Sequence, residues 1–137
     1  MIDKINETYY KQIANSVNNI IPVKWERIAL YAEMGESSVM TFFYFYDCDK
    51  KSYIQGGDLY DNYSISRTDY RSFVVSLSKQ IRALHDDILQ NTGDDWTQMT
   101  FLLQKVGKFN VEFGYEDLNE TTEMERRKVW KDKYLHE

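Results

Sequence analysis

Cysteine is almost absent: Cys48 is the only one in 137 residues. An internal disulfide is therefore excluded, which fits a reducing interior. Histidine is nearly as scarce, with His85 and His136 alone, and the sequence contains neither CxxC nor HExxH. A clustered metal site has no ligand set to draw on. Long apolar runs are missing too. The longest, "VMTFFYFY", is far too short to span a bilayer as a helix. The N-terminal "MIDKINETYYKQIANSVNN" lacks the apolar stretch of a signal peptide, so a cytoplasmic protein without membrane contact is expected. Basic charge is in deficit, with 17 Lys and Arg against 22 Asp and Glu, a formal net charge of −5. Direct binding of nucleic acid is disfavoured, because phosphate recognition rests on a basic footprint. A negative field suits a basic protein partner, or simply keeps the chain dispersed.

The usual signatures of chemistry are missing as well. Neither GxGxxG nor GxxxxGK[ST] occurs, and the adjacent glycines of "SYIQGGD" do not make a phosphate cradle. No GxSxG elbow is present, and Cys48 lies between Asp47 and Asp49, which weakens its thiolate. "DCDKKSYIQGGD" offers Asp47, Asp49 and Asp58 at positions 1, 3 and 12 of a calcium loop. Lys51 and Ser52, however, stand where a ligand and the turn glycine are required. An Asp-rich turn is the simpler account. His85, beside Asp86 and Asp87 in a helical segment, reads as a solvated helix-face residue. Carboxylate pairs such as Asp94 with Asp95, or Glu116 with Asp117, permit acid–base chemistry in principle. Sequence neighbours in a loop rarely converge on one reacting atom, and no cofactor is indicated.

What is present points to a folded single domain over residues 1–137. Hydrophobic residues make up 42% and aromatics 15%, enough to outweigh the disordering tendency of 28% charged residues. Ile2, Ile5, Tyr9, Ile13, Val17 and Ile20 recur at helical spacing, and Pro22 stops that helix near residue 20. "KWERIALYAEM" places Ile28, Leu30, Ala32 and Met34 on one face of a strand. "SVMTFFYFY" returns with both faces apolar, as a central strand would. "SYIQ" adds a short third strand, and "GGDLYDNYS" reads as loop. Tyr70, Phe73, Val74, Leu77, Ile81, Leu84 and Ile88 predict a long helix over 67–90, with Ser66 and Asp69 at its start and "NTG" at its end. Met99, Phe101 and Leu103 alternate along another strand. Val106-Gly107 turns it into "GKFNVEFGYEDL", where Phe109, Val111, Phe113 and Tyr115 oppose Asn110, Glu112 and Glu116. Thr122 and Glu125 cap a last helix carrying Met124, Trp130 and Tyr134. The expected class is α+β: an antiparallel sheet from two hairpins packed with helices, order α-β-β-(β)-α-β-β-α, the helices covering one face.

The acidity is uneven. Residues 92–120 hold six acids against two lysines, a local balance of −4, whereas the helical segment 67–91 and the tail 121–137 are each +1. Eleven tyrosines accompany it, several of them (Tyr53, Tyr60, Tyr63) in loop-like sequence, and tyrosine suits interfaces. These features leave three readings open: a module binding a basic protein, an adaptor or assembly protein of another pathway, and a small carboxylate-based enzyme.

Nearly the whole chain resembles a known family, the YezG/EsaG-like antitoxins, immunity proteins of secreted bacterial nuclease toxins. The likeness begins at Ile21-Pro22 and Trp25-Glu26-Arg27, and continues through the aromatic strand "VMTFFYFY" and "YSISRTDYRSFVVSLSKQIRALHDDI". It is most specific in "DDWTQMTFLLQKVGKFNVEFGYEDL", with Trp96-Thr97, Gly107-Lys108-Phe109 and Tyr115-Glu116-Asp117-Leu118, and it closes on "RRKVWKDKYL". The resemblance implies a cytoplasmic, non-catalytic protein without a cofactor. Such a protein binds the nuclease domain of a cognate toxin delivered by type VII secretion and silences it. The family has no catalytic motif to carry over. Charge and position, rather than inheritance, single out Asp94, Asp95, Glu112, Glu116 and Asp117, with Tyr60 and Asp61 from the mid-chain loop, as partner-binding residues.

Overall fold

A computed structural model describes residues 2–136, with side chains from Asn6 onward. In chain order the elements are α1 (Ile2–Ile20), β1 (Trp25–Met34), β2 (Val39–Asp47), β3 (Ser52–Gln55), α2 (Asp58–Asn62), α3 (Arg67–Thr92), β4 (Gln98–Gln104), β5 (Phe109–Gly114) and α4 (Glu123–Tyr134). The five strands make one sheet in the order β3-β2-β1-β4-β5, antiparallel at every junction.

Local chemistry explains most of the boundaries. α1 ends at Ile20, two residues before Pro22. The side chains of Ile2 and Ile5, which the helical spacing includes, lie outside the described residues. At the start of α3 the Ser66 Oγ accepts from the Asp69 N–H at 3.0 Å. At its end Gly93 adopts φ 75° and donates its N–H to the Leu89 carbonyl, the left-handed stop that glycine supplies without a Cβ penalty. Gly107 takes φ 92° in the turn between β4 and β5. Thr122 caps α4 by accepting from the Glu125 N–H at 3.1 Å.

Strand alternation then sorts side chains between two faces. Ile28, Leu30, Ala32 and Met34 of β1, Phe43 and Phe45 of β2, and Met99, Phe101 and Leu103 of β4 share one face. There they bury against Ile13 and Val17 of α1 and Phe73, Leu77, Ile81, Leu84 and Ile88 of α3. The opposite face is also covered, contrary to the expectation that all helices share one side. Ala29, Tyr31 and Tyr44 pack there around Trp130 of α4. The second apolar face of β2 demands such a cover, because Phe42 and Tyr44 would otherwise stand in water.

Two further differences have simple causes. The segment expected as loop contains the short helix α2, anchored by the fully buried Leu59. His85 is buried rather than solvated. It lies three or four residues from Ile81 and Ile88, on the core-facing stripe of α3, so helical spacing already placed it inside.

The Asp-rich segment is a turn. Asp47 Oδ1 accepts from the N–H groups of Asp49 at 2.8 Å and Lys50 at 3.1 Å, and its Oδ2 accepts from the Tyr63 hydroxyl at 2.8 Å. Burial alone would raise the Asp47 pKa. The hydrogen bonds from Lys50, Tyr63 and Asp49 outweigh it and hold the carboxyl below its ordinary value. Asp47→Ala should therefore cost about 1–3 kcal/mol in chemical denaturation at neutral pH, through the donors left unpaired. A depressed folded-state pKa stabilises above the unfolded carboxylate value and is lost as pH falls through the folded one. The gap between wild type and variant should accordingly narrow in acid, below the ordinary carboxylate range.

Candidate partner-binding site

The start of β4 and the end of β5 meet at one corner of the sheet. The Thr97 N–H donates to the Gly114 carbonyl at 2.9 Å, and the Thr97 hydroxyl to the Glu116 carbonyl at 2.8 Å. This pairing brings the loop bearing Asp94 and Asp95 beside the segment bearing Glu116 and Asp117. Glu112 sits farther along β5, opposite Thr100. It lines the same cleft as Glu116, a groove of about 360 Å³ between α4 and the β4–β5 hairpin.

Each of these carboxylates is held in place. The Tyr115 hydroxyl donates to Asp94 Oδ2 at 2.9 Å, and that bond, more than burial, raises the tyrosine pKa. Gln98 Nε2 donates to Glu116 Oε2 at 3.2 Å, and the Tyr134 hydroxyl to Glu112 Oε2 at 3.1 Å. Asp117 Oδ1 accepts the Asn119 N–H at 3.0 Å. Asp95 faces His85 Nε2 at 3.0 Å, while His85 Nδ1 lies 3.0 Å from Asp86. The His85 ring packs edge-on against Trp96 at 4.9 Å. Among the described residues none of the five acids has a lysine or arginine ion pair. Neutral donors fix a carboxylate's direction without cancelling its charge, so Asp94, Glu112, Glu116 and Asp117 form an oriented negative surface.

Tyr60 and Asp61 are elsewhere. They belong to α2, which packs beside β3 at the far edge of the sheet from β5. Tyr60 meets Tyr70 in a tilted ring contact at 5.3 Å under the Arg67 guanidinium, and Asp61 is exposed. The structure sets Glu112 and Glu116 in one cleft, with Asp94, Asp95 and Asp117 on the segments beside it, and leaves Tyr60 and Asp61 apart. Tyr63 turns inward onto Asp47 and Phe45, and Tyr53 holds Arg27 Nε at 2.6 Å.

Glu33 and Arg126, which tie the cleft together, are residues the sequence patterns do not single out. Glu33 of β1 and Arg126 of α4 form a bidentate pair at 2.6 and 2.9 Å. Their side chains are only 7% and 9% exposed. The hydrogen bond to Glu33, ahead of the opposing burial, raises the Arg126 pKa. Tyr31 donates to Glu33 at 2.7 Å and accepts from Gln98 at 2.9 Å. Burial first, and the Glu33 bond second, push the Tyr31 pKa up. Arg126 Nη1 also donates to the carbonyls of Leu118 and Thr121, at 3.1 and 2.7 Å. Trp130 completes the contact, its indole N–H donating to Thr100 Oγ1 at 3.0 Å and its ring meeting Phe42 at 5.1 Å. One signal was legible: an acid at position 33 directly after the apolar run 28–32 of β1.

A sheet corner with carboxylates oriented by hydrogen bonds, roofed by a polar helix, defines a small α+β scaffold with an acidic surface beside a cleft. The chain matches the family described as immunity protein YezG-like over residues 6–137. It is 30% identical over 123 residues to Immunity protein YezG of Bacillus spizizenii, covering 88% of this chain and 76% of the relative. Immunity protein YezG of Bacillus subtilis is 30% identical over 128 residues, 92% of this chain and 85% of the relative. Type VII secretion system protein EsaG of Staphylococcus aureus is 24% identical over 108 residues, 79% and 66% of the two chains. This protein therefore belongs to the YezG-like immunity protein family.

Removing one member of a buried ion pair strands the other charge. Arg126→Ala should lower stability by about 3–5 kcal/mol in urea unfolding, whereas the double variant Glu33→Leu/Arg126→Met should recover most of that loss.

Proposed function

We propose that this protein neutralises a secreted bacterial nuclease by binding it stoichiometrically in the cytoplasm of the cell it protects. Membership of an immunity protein family supports an antitoxin role. The link to type VII secretion rests on a relative whose name carries it, EsaG of Staphylococcus aureus. The charge of the surface supports the nuclease as target. A nuclease must hold a polyanion, so its substrate face is basic. The observation that carries the reading is the corner of Asp94, Glu112, Glu116 and Asp117, whose hydrogen-bond donors are neutral groups rather than lysine or arginine.

Such a surface accelerates encounter with a basic partner and selects against neutral ones, while tight binding comes from buried aromatic or apolar anchors nearby. The half-exposed Phe109 and the exposed Tyr115 flank the acids and suit that role. Binding of this kind requires no turnover by the inhibitor, and its association rate falls as salt rises.

The test mixes purified protein with a type VII-associated nuclease domain and follows cleavage of plasmid DNA. Activity should disappear at one equivalent and stay lost. Glu112→Lys/Glu116→Lys should slow association about 10-fold or more at low ionic strength, with a smaller change in dissociation. Full cleavage in the presence of excess wild-type protein would overturn the nuclease reading. An association rate unchanged by the double reversal would place the interface elsewhere.

A further inference from the structure

β5 is an edge strand, and among the described residues no element pairs with its open side. Natural proteins blunt such edges with proline, lysine, bulges or very short strands. β3, at the other edge, follows that rule with four residues and α2 beside it. β5 has six residues, "FNVEFG", with neither lysine nor proline, and it pairs with β4 from Phe109 to Gly114 without a register shift.

Register shows which groups are free. In an antiparallel ladder, pairs that exchange backbone hydrogen bonds alternate with pairs that do not. The Gln104 N–H donates to the Lys108 carbonyl at 2.8 Å. Even-numbered residues of β5 therefore face β4. The N–H and C=O groups of Phe109, Val111 and Phe113 point away from the sheet. Among the described residues no turn, loop or side-chain hydrogen bond engages them. The side chains beside these groups are sorted by face. Val111 and Phe113 pack partly against the main core. Asn110 and Glu112 stand exposed on the α4 side, with Glu116 and Glu125 along the same cleft.

We infer that β5 takes up a strand from the protein's partner, extending the sheet, and that this strand alternates basic with apolar residues. The proposal rests on the toxin-binding reading and specifies how that binding is made. Residues opposite one another on paired strands share a face. The position facing Glu112 therefore calls for Lys or Arg, and those facing Val111 and Phe113 call for apolar side chains. A second copy of this chain is the wrong occupant, because it would set another surface of local charge −4 against the first.

The test uses the intact protein and a blocked heptapeptide of alternating lysine and valine, followed by amide resonances and hydrogen exchange. Saturating peptide should shift the Phe109, Val111 and Phe113 amides and slow their exchange at least 10-fold. A glutamate–valine peptide should leave them unmoved. Val111→Pro removes an outward N–H that β4 does not use, so the fold should survive and docking should be lost. Should that variant unfold, a lysine–valine peptide N-methylated at its valines supplies the same control from the other side, and should not dock. Unmoved β5 amides at saturating peptide, or equal docking by the N-methylated peptide, would overturn the inference. The nuclease domain separates the two readings. If it binds wild type and folded Val111→Pro equally, strand addition is wrong while nuclease inhibition stands. If the peptide docks on β5 and the nuclease binds neither form, strand addition stands and the nuclease target is wrong.

Discussion

The buried pair of Glu33 and Arg126 is the constraint on which the shape of the acidic surface depends. Two charges nearly out of water are costly unless every polar atom finds a partner. Here the glutamate takes both forks of the guanidinium and the Tyr31 hydroxyl. The Nη1 of the guanidinium donates to Leu118 and Thr121. One side chain thus ties α4 to the central strand and also fixes the segment that leaves β5. The direction in which Glu116 and Asp117 are presented follows from that tie.

The two faces of the sheet are stabilised differently. Beneath it, α1 and α3 bury a continuous apolar layer of ordinary kind. Above it, α4 contributes Trp130 as its one buried side chain, with Met124 and Val129 in solvent. A helix so polar holds its place through specific contacts rather than area. These are the ion pair, the Trp130–Thr100 hydrogen bond, Arg127 over Phe42 and Tyr44, and Tyr134 on Glu112. The cleft at its side exists because the helix stands off the sheet on such contacts. The lower layer buries most of the core, and the thin upper layer leaves the charged groups of the cleft exposed.

Charge placement follows the same division. His85 lies between Asp86 and Asp95 at the core boundary, so Asp95 faces an imidazole rather than open solvent. The remaining acids of the corner are oriented by tyrosine, glutamine and backbone donors. A preorganised anionic surface loses less freedom on binding than mobile acidic side chains would. The β5 edge, unpaired among the described residues, lies beside it, so acidic side chains and open backbone hydrogen-bonding groups run along one line.

Much of the architecture could be read from residue order alone. Pro22, Ser66, Gly93 and Thr122 mark helix ends, and the alternation of Phe109, Val111 and Phe113 marks a strand. In each case the interaction spans only a few residues and acts wherever the chain goes. The acidic character of β5 and its flanks was equally visible. What residue order could not show is which positions meet. Arg126 reaches Glu33 across 93 residues, α4 crosses to the face opposite the other helices, and Tyr60 and Asp61 fall at the far edge from the acids they were grouped with. Burial of His85 was half legible, since its helical spacing pointed inward while its charged neighbours pointed out. Local hydrogen bonding and periodicity belong to the sequence. Strand order, the choice of face and the company each charge keeps arise only when distant segments pack, because desolvation and pairing depend on neighbours the chain does not name.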